Sequence, residues 1–251
     1  MDAEKRRTAI ARFISEHDGA DVAMLAEHFS VSPMTIRRDR KILADQNRIA
    51  PTHGGAVPIE YMVYGELPYA KKVDINLDKK KTIAKRAAEL ITDNSCIVLD
   101  AGTTTLELAK LIINKKLTVI TVDLHIALFL AQSSTIRIFT PGGEVDREMH
   151  GQIDNHAMNY LESVNASISF IGAAAWDYYK GVSCSTVAKQ AIKKTLIKQA
   201  EKSVLLADST KFGLCNPWNV TDLKNFSHII TDEELTETDR QAVMQVGGNF
   251  L

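Results

Sequence analysis

The sequence predicts a small, mainly helical domain followed by a doubly wound, mostly parallel α/β domain. The first 57 residues contain three short amphipathic segments, separated by their own start and stop signals. From about residue 96 onward, short continuous apolar runs alternate with helical patterns. Such runs are typical of parallel strands that helices cover on both faces. A chain of 251 residues is long enough to form both units.

Composition and charge narrow the class of protein. The chain is 45% hydrophobic and 24% charged, with a formal net charge of -1, which is the balance of an ordinary globular protein. Its three cysteines, Cys96, Cys184 and Cys215, form no CxxC pair and are expected to be reduced. The charged N-terminus is unlike a signal peptide, and the longest apolar run, residues 168–176, is too short to span a membrane. We therefore expect a cytoplasmic protein without membrane contact.

The helical segments at the N-terminus follow one another closely. A first helix ends near residues 18–19, and a second spans residues 22–29. Ser32 suits the N-cap of a third helix, and Pro33 suits its first turn, where no amide hydrogen is needed. Residues 47–57 then predict two short strands around a Gly54-Gly55 turn. Three short helices and a hairpin indicate a winged helix-turn-helix, with the motif itself at about residues 20–39.

Positive charge is concentrated on the third helix and its exit. Between residues 33 and 48, five basic side chains accompany two acidic ones. Cations placed there replace counterions at DNA phosphates, and Arg37 or Arg38 can reach guanine edges in the major groove. A basic helix that merely faces water is the commoner meaning of a charge run. The predicted DNA-binding residues are Ser32, Met34, Thr35, Arg37, Arg38, Arg40, Lys41 and, near the tip of the wing, His53.

These N-terminal segments resemble the DeoR family of bacterial regulators. The matching positions are Leu25-Ala26, Phe29, Val31-Ser32, the run Thr35-Ile36-Arg37-Arg38-Asp39, and His53-Gly54-Gly55-Ala56. Two positions depart from the family pattern. Arg40 stands where the family usually has Leu, which adds charge to the helix exit. Pro51 stands where the family often has Arg, and it is expected to remove a phosphate contact from the wing.

A connector and a second domain follow. Residues 58–76 contain two prolines and a glycine without clear periodicity, so we expect them to join a domain at 1–57 to a domain at 77–251. A helix is expected at about residues 79–90. The further expected strands are 96–99, 117–121, 136–139, 166–171, 203–207 and 228–231, and the further expected helices are 104–113, 124–132 and 185–200.

Polar residues follow several of these strands, at the edge where ligands of doubly wound sheets bind. Residues 100–105, Asp-Ala-Gly-Thr-Thr-Thr, end the first strand and open a helix, whose N-terminus favours an anion. No Gly-Lys-Ser/Thr sequence follows, so nucleotide hydrolysis is not indicated. An ordinary capped helix with solvent-facing threonines explains this segment equally well. Thr121 ends the second strand, Gly142-Gly143 follow the third, and Lys211 follows a later one and can supply a cation to a phosphoryl group.

These strand ends resemble the C-terminal domain of the same family, over about residues 79–232. The resemblance implies a fold similar to ribose-5-phosphate isomerase and a phosphorylated sugar or polyol as effector. The predicted effector-binding residues are Asp100, Gly102, Thr103, Thr104, Thr105, Thr121, Gly142, Gly143 and Lys211. Val122 stands where the family commonly has Asn, and Ala174-Ala175 lie where Gly is usual. The loss of an amide side chain at residue 122 is expected to change which sugar is bound.

No metal or other cofactor is expected. Four histidines, His53, His125, His150 and His156, lie in different segments without the paired spacing of zinc sites. Trp176 and Trp218 can stack on a sugar, but tryptophan in a core or a subunit interface is the commoner case.

The leading interpretation is a ligand-gated repressor of carbohydrate-metabolism genes rather than an enzyme. It binds double-stranded operator DNA as a homo-oligomer, a dimer or tetramer, because paired heads read two half-sites. The resemblance implies that the effector releases the DNA, although the sequence is also compatible with activation. One alternative is a sugar-phosphate isomerase with Asp100 as general base, but no second acid–base partner is evident. Another is an architectural DNA-binding protein whose second domain is purely structural.

Overall fold

The computed structural model describes six ranges of the chain: residues 2–17, 19–46, 48–51, 55–58, 69–147 and 149–251. Its contacts divide the chain into two compact units, Met1–Glu66 and Leu67–Leu251. The division falls inside the connector expected at residues 58–76, so the domain bounds given above stay predictions.

Within its described residues, the first unit contains three helices and three short strands. They are α1 (Ala3–Glu16), β1 (Ala20–Asp21), α2 (Val22–His28), α3 (Pro33–Asp45), β2 (Ile49–Pro51) and β3 (Gly55–Pro58). Each helix begins at a side chain that accepts a hydrogen bond from the amide three residues later: Asp2, Asp21 and Ser32. The three predicted helices and the Ser32 cap are therefore confirmed. Their buried faces meet in one apolar cluster that includes Ile10, Leu25, Ile36 and Leu43.

The wing is a three-stranded antiparallel sheet in the order β1-β3-β2. Ile49 pairs with Pro58, and Ala20 pairs with Ala56. The sequence predicted only two of these strands and placed Gly55 in the turn, whereas Gly55 begins β3. A Cβ atom on Gly55 would lie 2.1 Å from the carbonyl oxygen of Ala20. Glycine is therefore required for β1 and β3 to approach.

The second unit is a parallel sheet with helices and a small additional sheet. Its helices are α4 (Tyr69–Lys72), α5 (Leu77–Ala88), α6 (Thr103–Ile112), α7 (Leu124–Leu130), α8 (Asn155–Glu162), α9 (Val187–Lys198) and α10 (Glu237–Gln245). Its strands are β4 (Cys96–Leu99), β5 (Leu117–Thr121), β6 (Ile136–Phe139), β7 (Ala166–Gly172), β8 (Ala175–Asp177), β9 (Gly181–Cys184), β10 (Ala200–Leu206), β11 (Trp218–Thr221) and β12 (His228–Ile230). Six strands pair in parallel in the order β12-β10-β7-β4-β5-β6. The predicted fold class is confirmed.

The apolar strands are buried on both faces of this sheet. Successive residues of β4 alternate between two hydrophobic clusters: Ile97 and Leu99 belong to one, and Val98 belongs to the other. Residues of β10 alternate in the same way. Because side chains of a strand point to alternate faces, one cluster covers each face of the sheet. This double burial is why the strands read as continuous apolar runs in the sequence.

Several elements of the second unit were not predicted. They are the antiparallel sheet β11-β9-β8 and helices α4, α8 and α10. The three strands are only three or four residues long, so they carry too few residues for a periodic signal. No helix in the described ranges is long and apolar enough to cross a membrane.

The order of the strands determines where a ligand can bind. The chain runs outward from β4 through β5 to β6, and then returns to place β7 on the other side of β4. In open α/β sheets, ligands bind at the carboxyl ends of the strands where the order reverses in this way. We call this crevice, between the loops after Leu99 and Gly172, the switch crevice.

Candidate functional site

The exposed face of α3 carries most of the predicted DNA-binding residues. Arg37, Arg38 and Lys41 are exposed, and the side chain of Met34 is also largely in solvent. The Ser32 hydroxyl accepts a hydrogen bond from the Thr35 amide at 3.2 Å. Basic side chains beside a capped helix N-terminus form the surface that a major groove accepts. His53 lies outside the described residues, as does the side chain of Pro51.

Asp39 connects α3 to α1. Its side chain is only 3% exposed, and its Oδ2 lies 2.7 Å from Arg6 Nε. Arg7 also approaches it, at 3.6 Å. Asp39 is one of the two acidic residues counted between residues 33 and 48, and its charge is paired with arginines of α1. The exposed face of α3 is therefore more positive than the count of residues indicates.

Arg40, which was predicted to bind DNA, also contacts the wing. Its guanidinium donates a hydrogen bond to the carbonyl oxygen of Gly55 at 3.0 Å, so it connects α3 to strand β3 of the wing. The departure from the usual Leu at this position thus adds a brace within the head. This bond helps to position the wing, and a contact of Arg40 with DNA stays a prediction.

The Asp39 pair gives a stability prediction. Asp39→Ala is expected to destabilise the first unit by about 3 kcal/mol, because it leaves a mostly buried arginine without its partner. Hydrogen exchange of the α1 and α3 amides in the full-length protein measures the effect. Glu27→Ala, at an exposed position of α2, is the control. Equal exchange rates in the two variants would show that the pair does not hold the helices together.

At the switch crevice, Asp100 and Lys193 form a buried ion pair. Asp100 is 2% exposed and follows β4. Its Oδ1 accepts from the Ala101 amide at 2.9 Å, and its Oδ2 accepts from the Gly172 amide at 3.1 Å and from the Lys193 ammonium. Lys193 also donates to the carbonyl oxygen of Gly172 at 2.8 Å. The pair therefore joins the ends of β4 and β7.

Lys193 was not predicted from the sequence. It lies on α9, one turn after Lys189, and both lysines are 8% exposed. The flanking Ile192 and Leu196 are also buried. Two lysines at this spacing among buried apolar residues were the available signal, since lysine is almost never buried without a partner.

Helix α6 begins at the switch crevice without a side-chain cap. Its N-cap is Gly102, and no described side chain caps its first turn. The Gly102 amide donates to Asp123 Oδ2 at 3.0 Å, and the Thr105 hydroxyl donates to the Gly102 carbonyl at 2.8 Å. Among the described residues, the hydroxyls of Thr103, which is 7% exposed, and of Thr104 have no hydrogen-bond partner. Of the three predicted threonines, Thr105 is engaged within the fold and the other two remain available.

Asp123 is a second residue of the site that was not predicted from the sequence. It is fully buried after β5, and its Oδ1 accepts from the amides of His125 at 2.7 Å and Ile126 at 3.2 Å. Burial raises the pKa of Asp123, although these amide bonds oppose the change. Thr121 is fully buried as well, and its hydroxyl accepts from the Asp123 amide at 3.1 Å. Thr121 thus acts through Asp123, which holds the Gly102 loop.

Gly142 and Gly143 form a turn that is fixed to α8. The Gly142 amide donates to Gln152 Oε1 at 3.3 Å. Gly143 has a φ of +95°, and a Cβ there would lie 2.2 Å from Asp154 Oδ1. Glycine is needed because the turn packs directly on this N-cap carboxylate of α8. Val122, another of the departures from the family pattern, is buried in the apolar core.

Several lysines lie near the end of β10, on the other side of the switch crevice. Lys211 is half-buried in a 3₁₀ turn, and its ammonium pairs with no described residue. Lys80 of α5 is almost fully buried and donates to the carbonyl oxygens of Lys72 and Val73. Lys79 donates to Ser209 Oγ at 2.9 Å. No hydrogen bond between described residues joins Lys211 to Asp100 directly.

Lys80 gives a pH-dependent prediction. Burial lowers the pKa of Lys80 to about 8, and the nearby Lys211 and Lys72 add to the decrease while Asp208 opposes it. Between about pH 8 and the ordinary lysine value of about 10.4, the unfolded chain binds more protons than the folded one. The free energy of unfolding is therefore expected to rise with pH in this window. Urea denaturation at pH 7.5 and at pH 9.5, which is about the middle of that window, measures the rise in the free energy of unfolding. Lys80→Met should reduce this rise.

The neighbouring Lys81, which is exposed, supplies the control for this experiment. Lys81→Met is expected to keep the pH dependence of the wild-type protein. The same slope in Lys80→Met and Lys81→Met would contradict the assignment to Lys80.

Packing explains Trp176, His125 and His150, whereas Trp218 is 41% exposed. Trp176 is fully buried, and its Nε1 donates to the Asp208 carbonyl at 3.3 Å. His125 Nε2 and His150 Nδ1 lie 2.7 Å apart and share a hydrogen bond. Within the described ranges, no group of three histidine, cysteine, aspartate or glutamate side chains could hold a metal ion.

Comparison with known families shows to which class of protein this chain belongs. The sequence profile described as "DeoR C terminal sensor domain" matches residues 75–233, which is more than half of the chain, and the profile described as "DeoR-like helix-turn-helix domain" matches residues 6–61. The chain belongs to the DeoR family. This DeoR-family protein is thus a DNA-binding transcriptional regulator, as the sequence predicted.

Curated relatives match this DeoR-family regulator along nearly its whole length. The uncharacterized HTH-type transcriptional regulator YgbI of Escherichia coli (strain K12) is 34% identical over 96% of this chain and 94% of its own. The HTH-type transcriptional regulator GlpR of Haloferax volcanii is 31% identical over 98% and 96%. The glycerol-3-phosphate regulon repressor of Escherichia coli (strain K12) is 28% identical over 92% of both chains. Since the relatives are transcriptional regulators, the expectation of a regulator rather than an isomerase is confirmed.

Solved structures resemble the DeoR-family regulator more weakly. Ribose 5-phosphate isomerase A from Methanocaldococcus jannaschii matches 55% of this chain and 55% of its own, with 20% identity and a TM-score of 0.41. A likeness of this size carries no information about activity.

Proposed function

We propose that this regulator represses genes of carbohydrate metabolism and leaves its operator when a phosphorylated sugar or polyol binds at the switch crevice. The observation that carries the proposal is the uncapped start of α6 beside the buried Asp100–Lys193 pair. The protein acts in the cytoplasm, where its DNA target lies. It acts as a homo-oligomer, because one small head reads few base pairs and paired heads read two half-sites.

The switch crevice supplies what a sugar phosphate needs. The free amides at the start of α6 favour an anion, and the available hydroxyls of Thr103 and Thr104 add donors. The ammonium of Lys211 is a further candidate for the phosphoryl group. Asp100, Thr105 and Thr121, which are engaged within the fold, position these groups. The Gly142-Gly143 turn borders the pocket in this proposal.

The DNA-binding face in this proposal is the exposed surface of α3. Its residues are Ser32, Met34, Thr35, Arg37, Arg38 and Lys41, with Arg40 bracing the wing and His53 proposed on sequence alone. Effector binding must favour one arrangement of the heads over another, because a ligand shifts an equilibrium only by its difference in affinity. The name of one relative, a glycerol-3-phosphate regulon repressor, is consistent with a small phosphorylated effector.

A thermal-shift screen tests the proposal. Full-length protein is heated with glycerol 3-phosphate, ribose 5-phosphate, fructose 1-phosphate and galactitol 1-phosphate, and with the unphosphorylated forms as controls. Specific binding raises the unfolding midpoint by mass action. We expect a rise with at least one phosphorylated compound and none with its unphosphorylated form. Equal rises with both forms would contradict a phosphate site.

A further inference from the structure

The segment that leads into the second unit is packed against the effector-binding edge. Helix α4 begins at Tyr69, which is 4% exposed. Its ring stacks on His125, with centroids 4.0 Å apart and planes inclined by 10°. His125 lies two residues after the N-cap Asp123 that holds the Gly102 loop. The first residue of the segment is therefore built into the edge where the effector is proposed to bind.

The end of α4 is attached to the same edge from the other side. The Lys80 ammonium donates to the carbonyl oxygens of Lys72 and Val73, which stabilises the C-terminus of this short helix. Lys72 Nζ lies 2.9 Å from Met149 Sδ, next to His150. Residues 69–73 therefore contact both α5 and the loop before α8.

The hydroxyl of Tyr69 is the feature that packing leaves unexplained. It is buried, and it has no hydrogen-bond partner among the described residues. The pKa of Tyr69 is raised by burial and by the nearby carboxylates of Asp123 and Glu107, so the phenol stays protonated and can donate. A buried polar group is expected to have a partner, because an unsatisfied one destabilises the fold.

We propose that Tyr69 is an effector-binding residue, whose hydroxyl donates a hydrogen bond to an oxygen of the bound sugar phosphate. This inference rests on the proposed function, since the partner it assigns is the effector. Residues 59–68 connect the helix-turn-helix unit directly to Tyr69. A ligand that pairs with the Tyr69 hydroxyl stabilises the docked form of α4, and the segment leading to the DNA-binding unit thereby senses whether the pocket is filled.

The test uses Tyr69→Phe, which keeps the stacked ring and removes only the hydroxyl. Binding of the four phosphorylated compounds named above is measured by calorimetry on the full-length protein. We expect the affinity for the compound that binds wild-type protein to fall about three- to tenfold, the effect of one net hydrogen bond. The unfolding midpoint without ligand should stay the same or rise, because an unsatisfied hydroxyl is removed. Tyr179→Phe, at a side chain 79% exposed, is the control and should change neither value.

The outcomes separate this inference from the function on which it rests. If wild-type protein binds none of the four compounds, the proposed function and the role of Tyr69 both fail. If wild-type protein binds one of them and Tyr69→Phe binds it equally well, only the role of Tyr69 fails. A lower midpoint of Tyr69→Phe together with unchanged affinity would show that the hydroxyl serves the fold alone. Hydrogen exchange supplies a second readout: the bound compound should slow exchange of the α4 amides in wild-type protein and slow it less in Tyr69→Phe.

Discussion

Lys193→Met is expected to destabilise the second unit by about 3 to 5 kcal/mol, because it leaves the buried Asp100 carboxylate without its ion-pair partner. It is also expected to remove the rise in unfolding midpoint caused by a phosphorylated sugar. Lys193 bonds to both Asp100 and the Gly172 carbonyl, so its loss releases the two strand ends that border the switch crevice. Urea denaturation and the thermal-shift screen measure the two effects.

The next residue supplies a matched control. Lys194 lies on the same helix and is exposed, so Lys194→Met should change neither stability nor the ligand response. The double variant Asp100→Asn with Lys193→Met removes both charges. It is expected to be more stable than the sum of the single effects predicts, because no unpaired charge stays buried. Additive effects in this cycle would contradict a direct interaction between the two residues.

The second large effect is expected from the exposed arginines of α3. The double variant Arg37→Ala with Arg38→Ala should weaken binding to operator DNA by at least about tenfold, since one bidentate contact to a base is worth about 1 to 3 kcal/mol. The response to the phosphorylated effector should be unchanged, because neither residue belongs to the second unit. Fluorescence anisotropy with duplexes selected from a random-sequence pool measures the affinity.

Salt dependence distinguishes the two kinds of contact that these arginines can make. Loss of a phosphate contact lowers the slope of log affinity against log salt by about 1 and weakens all sequences alike. Loss of a base contact mainly reduces the preference for the selected duplex. Arg12→Ala, on the exposed surface of α1, is the control and should retain both values. Normal DNA binding by the double variant would mean that α3 is not the recognition helix.

Most elements of the fold could be predicted because their signals are local. Ser32 and Pro33 mark the start of α3 in any context, and the bounds of β4 and β5 follow from largely apolar runs flanked by polar residues. Burial on both faces produces such runs, so the sequence itself carries the evidence for a parallel sheet. Strand β1 has only two residues and depends on pairing with β3, so no local signal identifies it.

The candidate site was predicted less completely, because its geometry depends on contacts between distant residues. Asp100 and Lys193 are 93 positions apart in the chain, and no pattern around either one names its partner. Gly102 and Thr105 were recognised from the strand–helix junction, but only the structure shows that the Thr105 hydroxyl is engaged by Gly102. Arg40 was assigned to DNA from its charge, and its hydrogen bond to the wing backbone could not be predicted because Gly55 lies 15 positions away.

The most direct measurement is the affinity of the full-length protein for its selected DNA duplex, with and without the phosphorylated compound that raises its unfolding midpoint. We expect the compound to weaken DNA binding by about 10- to 100-fold, the usual range of coupling between two sites. The unphosphorylated compound should have no effect. An unchanged DNA affinity at a saturating concentration of the phosphorylated compound would contradict a repressor that its effector releases.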